Sequence, residues 1–326
     1  DGKTLFDYFP NANLYANGRQ SIDALILQER WKRIWIPEYF CYEIIDSIKK
    51  NDIEICFYND NPLSNDDVEI SKLQFEKGDV LFRMNYFGIR KFRDNDNLKI
   101  PVIEDHSHDF IGEWPLNSNA DWCISSLRKT IPIPEGGILW SPRGNNLPEL
   151  SIQTKENIQL SEKRWKAMQL KRDYLSNKIS DKNEFRKLFL ETESEFNTLQ
   201  TAPIADDCNL YLNNFDLKGW LQQKQFNWKI LSEIQSDKVE ILKRESEECN
   251  NFSFTLLFRT SALRDKVRHG LIMNNIYPAI LWAIPDDKPR AKVISDRMLS
   301  IACDARYSTN DILALRTKIC NILSNV

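Results

Sequence analysis

Val102-Ile103-Glu104-Asp105 and Ser125-Ser126-Leu127-Arg128-Lys129 are the two stretches that decide the fold of this sequence. In the first, a carboxylate directly follows an apolar run. In the second, a lysine stands just past the next apolar run, Trp122-Cys123-Ile124. Short apolar runs bounded by turn residues predict buried strands. Because ligands gather at the carboxyl ends of parallel strands, we expect Asp105 and Lys129 to share one crevice.

This pair of residues suits pyridoxal phosphate (PLP). A lysine amine bonds to the cofactor's aldehyde, and a carboxylate keeps a proton on the pyridine nitrogen so that the ring accepts electrons. The ordinary alternatives are an exposed acid after a strand and a solvated loop lysine. The flank Thr130-Ile131-Pro132-Ile133-Pro134-Glu135-Gly136-Gly137 favours the cofactor interpretation, because proline and glycine fix a turn and permit close backbone approach. We therefore predict a buried Lys129.

The first 140 residues alternate between strand and helix patterns. Further strand-like runs lie at 33–36, 54–58, 79–84 and 137–140, with a lead-in at 13–17. Helical patterns occupy 21–31 and 42–50. This alternation predicts a largely parallel sheet with helices on its faces.

After residue 141 the pattern changes to long amphipathic helices, predicted at 156–177, 184–199 and 217–234. From Val239 the sequence is typical of a small α+β unit. We therefore predict a large domain over 1–235, which includes the long helices, and a small C-terminal domain over 236–326.

Composition narrows the class of protein. The net charge of -3 gives no electrostatic reason to expect nucleic acid or an anionic membrane as partner. No apolar run approaches the roughly 20 residues that span a bilayer. The seven cysteines are scattered, form no close CxxC pair and fit reduced thiols. With no signal-peptide pattern visible, the expected compartment is the cytoplasm.

Gly18-Arg19-Gln20-Ser21 opens the first long helix. Free backbone N–H groups at a helix start, with no side chain at Gly18, can hold a phosphate. Simple helix capping is the alternative. The hydroxyls of Ser125 and Ser126 are further candidate donors to the same phosphate.

His106 and His108 form an HxH pair that raises the alternative of a metal site. No third ligand is evident in the sequence, and zinc normally takes three or four protein ligands. A histidine packed against a PLP ring explains one of them equally well. The sequence also has no GxSxG, GxxxxGK[ST] or GxGxxG motif.

An ordered set of motifs resembles the DegT-type sugar aminotransferase family. The set covers nearly the whole chain and comprises Gly18-Arg19-Gln20, Ile36-Pro37-Glu38-Tyr39, Asn85-Tyr86-Phe87-Gly88, Ile103-Glu104-Asp105-His106-Ser107-His108, Ser125-(x3)-Lys129-(x5)-Glu135-Gly136-Gly137, Phe226-Asn227-Trp228, Arg264 to Pro278 and Arg297-Met298-Leu299-Ser300-Ile301. The resemblance implies fold type I of the PLP enzymes, an α/β fold with a mostly parallel central sheet, helices on both faces and a small C-terminal α+β domain.

The resemblance also implies roles for individual residues. Lys129 corresponds to the lysine that bonds PLP, and Asp105 to the partner of the pyridine nitrogen. His108 corresponds to the residue that lies against the cofactor. The residues implied to bind the cofactor phosphate are Gly18, Arg19, Gln20 and Ser125. Asn227 is implied to reach the phosphate of the neighbouring subunit, in a homodimer with shared active sites.

Two departures concern the cofactor site. Arg19 stands where the family usually has a small Thr or Ser. The aromatic residue that stacks on the cofactor ring falls by position on Cys41, whose thiol cannot stack in this way. Phe40 or Tyr42 is the alternative stacking residue.

The resemblance implies a PLP-dependent aminotransferase. The amino group would pass from an amino acid donor to a keto-sugar linked to a nucleotide, on a route to polysaccharide or a glycosylated metabolite. The rival hypothesis is a non-catalytic descendant of the fold that binds PLP or a sugar nucleotide, since fold alone does not secure function.

Overall fold

The computed structural model of the chain describes residues 2–64, 66–196, 198–243 and 251–326. Cys249, one of the seven cysteines, lies outside the described residues. The strands are β1 (Asn13–Tyr15), β2 (Arg33–Pro37), β3 (Glu54–Tyr58), β4 (Asp79–Met84), β5 (Val102–Asp105), β6 (Trp122–Ser126), β7 (Gly137–Trp140), β8 (Val239–Leu242), β9 (Phe254–Phe258) and β10 (Met298–Ile301).

The helices surround and connect these strands. They are α1 (Leu5–Tyr8), α2 (Gly18–Glu29), α3 (Tyr42–Ile48), α4 (Val68–Ser71), α5 (Glu113–Asn117), α6 (Lys155–Leu175), α7 (Asn183–Phe196), α8 (Asp206–Asn214), α9 (Leu217–Ser232), α10 (Ser261–Met273), α11 (Pro289–Ser295) and α12 (Thr309–Ser324). None of them within the described ranges has both the length and the apolar character that crossing a membrane requires.

A seven-stranded sheet, in the order β1-β7-β6-β5-β4-β2-β3, forms the centre of the fold. Strands β6, β5, β4, β2 and β3 run parallel to their neighbours, whereas β7 is antiparallel to both β6 and β1. The prediction of a mostly parallel sheet is confirmed. Because β5 and β6 are adjacent and parallel, their carboxyl ends bring Asp105 and the Lys129 turn to one edge.

Apolar side chains alternate between the two faces of this sheet, as the pleat of a strand requires. One face packs α2 and α3 against residues such as Ile34 and Phe82. The other packs α1, α8 and α9 against residues such as Leu81 and Cys123. Helices therefore cover both faces, as predicted, and strands buried on both sides explain the continuous apolar runs.

A second, three-stranded antiparallel sheet, in the order β10-β9-β8, lies in the C-terminal part of the chain. Its core includes Phe254, Leu256 and Leu299, together with apolar residues of α10 and α12. Trp228 and Leu231 of α9 join the same core. The α+β character of this part is confirmed, while the boundary near residue 235 stays a prediction.

Most long helices lie within a few residues of their predicted ranges, but α8 and α11 were missed. Asp206–Asn214 lies between the helices predicted at 184–199 and 217–234, and its short amphipathic pattern forms a helix because Cys208 and Leu212 pack under the sheet. Tertiary burial of this kind outweighs weak local propensity. Helices α6 and α7 follow β7 in the chain and pack against each other, and Glu193 of α7 lies 3.0 Å from Arg128, the residue before Lys129.

Candidate active site

A cavity of about 590 Å³ opens at the carboxyl ends of the parallel strands. Asp105 from the end of β5 and Lys129 from the turn after β6 both line it. The other lining residues are Asn17, Gly18, Arg19, Ile22, Cys41, Tyr42, Glu43, Ile44, Asp46, Ser107, Ile124, Ser126, Arg128, Glu193, Ile280, Trp282 and Ala283. The volume lies within the range of small-molecule sites.

Lys129 ends the short 3₁₀ turn Leu127–Lys129. The Leu127 carbonyl accepts hydrogen bonds from the amides of Thr130 and Ile131, at 3.0 and 2.8 Å, which fixes the turn. The lysine Nζ lies over the Trp282 ring, 5.7 Å from its centroid. The prediction that Lys129 is buried was wrong for the single chain, because its side chain extends into the open cavity and is exposed there.

Asp105 is the last residue of β5 and is almost fully buried, with 1 % of its surface exposed. Its Oδ1 accepts a hydrogen bond from the Ser107 amide at 2.7 Å. Its own carbonyl accepts one from the Asn85 amide at 2.9 Å. The carboxylate is therefore held at a fixed point in the cavity wall.

A buried polar network that the sequence did not reveal lies on the opposite face of the sheet. Glu104 alternates with Asp105 along β5, so its side chain points away from the cavity. Glu104 Oε2 lies 3.0 Å from His106 Nε2 and accepts a hydrogen bond from Ser118 Oγ at 2.6 Å. Burial raises the pKa of Glu104, but His106 and the other donors lower it more. Cys123 Sγ completes the group.

His108 occupies a different environment from His106. Its Nδ1 accepts a hydrogen bond from the Phe87 amide at 3.0 Å, and its ring stacks on Phe252 and Trp282 at centroid distances of 4.3 and 5.4 Å. Burial, then the cations of Lys129 and Lys224, holds its pKa well below the ordinary value. The two histidines thus form no joint metal site. In this structure His108 does not line the cavity, because aromatic rings cover it, so its expected contact with the cofactor stays a prediction.

The start of α2 forms one wall of the cavity. Gly18 and Arg19 line this wall, and the Asn17 side chain accepts a hydrogen bond from the Gln20 amide at 3.1 Å. A Cβ on Gly137 would come within 2.4 Å of the Asn17 carbonyl, so glycine is required for β7 to approach this helix start.

Gln20 does not line the cavity. Its side chain instead binds the 200–202 segment: Nε2 donates to the Gln200 carbonyl at 3.2 Å, and Oε1 accepts from the Ala202 amide at 3.1 Å. Both polar atoms of this side chain are therefore already bonded, and the part of Gln20 in phosphate binding stays a prediction.

Three arginines converge on Glu193 of α7 beside this wall, a cluster that spacing along the sequence could not reveal. Arg19 Nη2 lies 2.6 Å from Glu193 Oε1, while Arg128 Nη1 and Arg164 Nη1 lie 3.0 and 3.2 Å from Oε2. Burial raises the pKa of Glu193, but the three guanidinium groups lower it to about 2. Three cations around one anion leave this cluster with a net positive charge.

The serine that faces the cavity is Ser126 rather than Ser125. Strand β6 alternates its side chains, so Ser126 lines the cavity and Ser125 is fully buried, its hydroxyl without a partner among the described residues. This corrects the assignment of Ser125 as a phosphate ligand.

The aromatic residue next to Cys41 is also turned away from the cavity. Phe40 is fully buried and packs edge-on against Phe82, at a centroid distance of 5.3 Å. Cys41 does line the cavity, and burial raises the pKa of its thiol while Lys129 opposes the shift. Phe40 therefore cannot be the stacking residue in this structure.

Asn227 is a buried residue of α9, and its side chain contacts the loop before α12 within its own chain. Its Nδ2 donates to the carbonyls of Asp304 and Tyr307 at 3.0 and 3.1 Å, and its Oδ1 accepts from Gln223 at 3.0 Å. Within the single chain every polar atom of this buried side chain is therefore engaged, and its reach to a neighbouring subunit's phosphate stays a prediction.

Comparison with known proteins establishes the class of fold. No protein-family model matches the sequence, and no curated protein matches it. Solved structures do match over nearly the whole chain, and several of them are described as aminotransferases. The chain therefore has the PLP-dependent aminotransferase fold that the motifs implied.

Three of these structures illustrate the likeness. A protein described as a sugar aminotransferase from Streptococcus pneumoniae, in its PMP form, matches at a TM-score of 0.71 and 12% identity, covering 98% of this chain and 88% of that one. An aminotransferase from Psychrobacter cryohalolentis matches at 0.67 and 11%, covering 99% and 90%. A DegT DnrJ EryC1 StrS aminotransferase from Brucella abortus matches at 0.62 and 12%, covering 98% and 87%.

Proposed function

We propose that this chain is a PLP-dependent aminotransferase. The observation that carries the proposal is that Asp105 and Lys129, a buried carboxylate and an accessible amine, line one cavity at the carboxyl ends of β5 and β6. Structures of the Streptococcus pneumoniae protein in PMP and PLP forms share this fold. Likeness of fold and the carboxylate–lysine pair support the same chemistry independently.

The cavity has the donors that a phosphate group needs. Gly18 and Arg19 supply the start of α2, where the helix dipole favours an anion. Asn17 Nδ2 and Arg128 Nε are buried and have no hydrogen-bond partner among the described residues. Unpaired buried donors are costly, so these atoms fit an anionic ligand. We propose Gly18, Arg19, Arg128 and Ser126 as the phosphate-binding residues.

When bound, PLP supplies an electron-accepting ring that eases removal of a proton from the α carbon of an amino acid. Asp105 would face the ring nitrogen and hold a proton there, an electrostatic role suited to a buried and oriented carboxylate. The Lys129 amine would hold the cofactor in the resting enzyme. The same amine would serve as the general base and acid that takes a proton from the substrate and returns it.

The proposed substrates are an amino acid donor and a keto-sugar acceptor linked to a nucleotide. The description of the Streptococcus pneumoniae protein as a sugar aminotransferase supports the sugar. The nucleotide, a role in polysaccharide synthesis, a cytoplasmic location and a homodimer belong to the same proposal and rest on the family resemblance. In the shared active site that the resemblance implies, Asn227 would have to exchange its bonds to Asp304 and Tyr307 for the phosphate of the neighbouring subunit.

Covalent labelling tests the proposal directly. The protein is incubated with PLP, reduced with borohydride and analysed by peptide mass spectrometry. We expect the pyridoxyl mass on Lys129 and none in Lys129→Ala, because Lys129 is the one lysine among the described residues that lines the cavity. Transamination between glutamate and a nucleotide-linked keto-sugar should fall by at least about 10³-fold in the same variant.

Two controls sharpen this result. Lys129→Arg keeps the positive charge but cannot form the bond, and it should also lose the label. Lys218→Ala removes an exposed lysine of α9 and should leave labelling unchanged. A label on another lysine, or unchanged turnover in Lys129→Ala, would exclude the mechanism. Labelling without any spectral change on adding glutamate would favour the non-catalytic binder.

A further inference from the structure

We propose that Trp282 supplies the aromatic face on which the cofactor ring stacks. This inference rests on the proposed PLP function and assigns a position that Cys41 cannot fill, since a thiol has no ring to stack. Trp282 belongs to the segment between α10 and α11, more than 150 residues beyond Lys129 in the sequence. It nevertheless lines the same cavity as Asp105 and Lys129.

The orientation of the indole supports this role. Its ring is nearly parallel to that of His108, with an interplanar angle of 18° and centroids 5.4 Å apart. His108 is fully buried and does not line the cavity, so the indole face that it covers is the inner one. The Lys129 Nζ lies over the ring at 5.7 Å from the centroid. A ring bonded to that amine would therefore lie beside the outer face.

The indole is held in place by bonds to its own backbone segment. The Tyr39 hydroxyl donates to the Leu281 carbonyl, and the Ser295 hydroxyl donates to the Trp282 carbonyl. The Leu281 amide lies 3.2 Å from Met298 Sδ. The rings of Tyr39 and Phe40 pack against the indole at centroid distances of 5.9 and 6.3 Å. A side chain anchored in this way presents a fixed surface to a ligand.

Tyr42 is the rival stacking residue, because it also lines the cavity. Its ring, however, already stacks on Phe57 at 6.1 Å and 19°, and its hydroxyl donates to the Glu38 carbonyl at 3.1 Å. These contacts hold the Tyr42 ring against β3, whereas Trp282 lies over the reactive amine. The geometry favours Trp282.

Affinity and fluorescence measured on the full chain test the inference. PLP is titrated against wild type, Trp282→Phe and Trp282→Leu, with binding followed by visible absorbance and by quenching of tryptophan emission. Loss of one stacked ring should weaken PLP binding about two- to tenfold in Trp282→Leu, while Trp282→Phe keeps most of the affinity. Both variants should lose the emission component that PLP quenches most strongly, because the indole nearest the bound ring is gone.

Matched variants separate this role from general effects. Trp165→Phe removes a tryptophan that lies outside the cavity, in the groove with Tyr211 and Trp220, and should retain affinity and quenching. Tyr42→Leu should retain them too, and a selective loss there would transfer the role to Tyr42. Trp282→Phe is the conservative variant should Trp282→Leu fail to fold.

The outcomes are distinguishable. Unchanged PLP affinity and quenching in Trp282→Leu would overturn the stacking role while leaving the aminotransferase proposal intact. Tighter binding in that variant would also overturn it, since the indole would then obstruct the ring's place. Wild type that takes no PLP by absorbance and no label on Lys129 would overturn both proposals.

Discussion

At the scale of single residues, Glu193 places a carboxylate where three guanidinium groups meet. It lies on the cavity wall, 2.6 Å from Arg19 and 3.0 Å from Arg128. An anionic ligand entering this wall must compete with Glu193 for the same donors. We expect Glu193→Gln to bind inorganic phosphate and PLP more tightly than wild type. Thermal unfolding with increasing phosphate measures this as a larger rise in Tm for the variant.

The same helix offers a control for that experiment. Glu195 pairs with Lys163 at 2.9 Å and is more than one-third exposed, so Glu195→Gln removes an ordinary surface ion pair. Its phosphate response should match that of wild type. Equal phosphate responses in Glu193→Gln and wild type would show that the arginine cluster is a structural contact and not an anion site.

Single residues also show where sequence interpretation succeeds and where it fails. Asp105, Lys129 and Gly18 meet in one cavity because strand ends and helix starts converge at the same edge of a parallel sheet, a rule that needs no side-chain detail. The assignment of Ser125 as a phosphate ligand does not fit the structure, because strand side chains alternate and an error of one residue selects the opposite face of the sheet. Which of two adjacent serines faces the ligand depends on the strand register.

At the scale of elements, Glu135 connects two segments. It belongs to the segment that follows Lys129, and it binds the residue before α8. Its carboxylate is buried and accepts a hydrogen bond from the Ala205 amide at 2.5 Å. Burial raises its pKa to about 7, against hydrogen bonds that lower it. Because the pKa is higher in the folded protein, folding favours the protonated carboxyl. The stability that this group contributes is therefore fully present below its unfolded pKa of 4.5, and it is lost as the pH rises through about 7.

Glu135→Gln should therefore change how stability depends on pH. The neutral amide can still accept the Ala205 bond but cannot ionise. Relative to wild type, the variant should gain up to about 3 kcal/mol in free energy of unfolding above pH 7 and almost nothing below pH 4.5. Urea unfolding across this range measures the difference. The exposed Glu149→Gln is the control, and a constant difference across pH would contradict the role assigned to Glu135.

Elements with strong periodicity were predicted well, and short elements were not. The strands of the central sheet carry continuous apolar runs because both of their faces are buried. Helices such as α8 and α11 have only two or three buried residues each, so their patterns are too short to separate from loop. Their helical state depends on the surfaces against which they pack, which sequence alone does not place.

At the scale of the whole molecule, the cavity draws its walls from residues that lie far apart in the chain. Gly18, Asp105 and Glu193 belong to three separate regions, and Trp282 comes from the C-terminal third. The order of the motifs could place Gly18 and Asp105, because both belong to consecutive strand and helix units. It could not place Glu193 or Trp282, whose positions depend on how α7 and the C-terminal part fold back over the sheet.

Substitution of Asn227 distinguishes a structural role of this residue from a role in binding the cofactor. Its side chain connects α9 to the carbonyls of Asp304 and Tyr307. Asn227→Ala leaves both carbonyls without this donor, which should cost about 2 kcal/mol of unfolding free energy. PLP affinity should not change, since the residue does not line the cavity. Urea unfolding and a PLP titration on the same protein provide both measurements.

The matched control for this prediction is Asn213→Ala on α8. Asn213 is exposed and donates only to the Asn209 carbonyl of its own helix, at 3.0 Å, so its loss should change stability by no more than about 0.5 kcal/mol. If Asn227→Ala instead kept its stability and lost PLP affinity, the residue would bind the cofactor phosphate of a neighbouring subunit, as the family resemblance implies. The folded chain would then rearrange around α9 on forming a dimer.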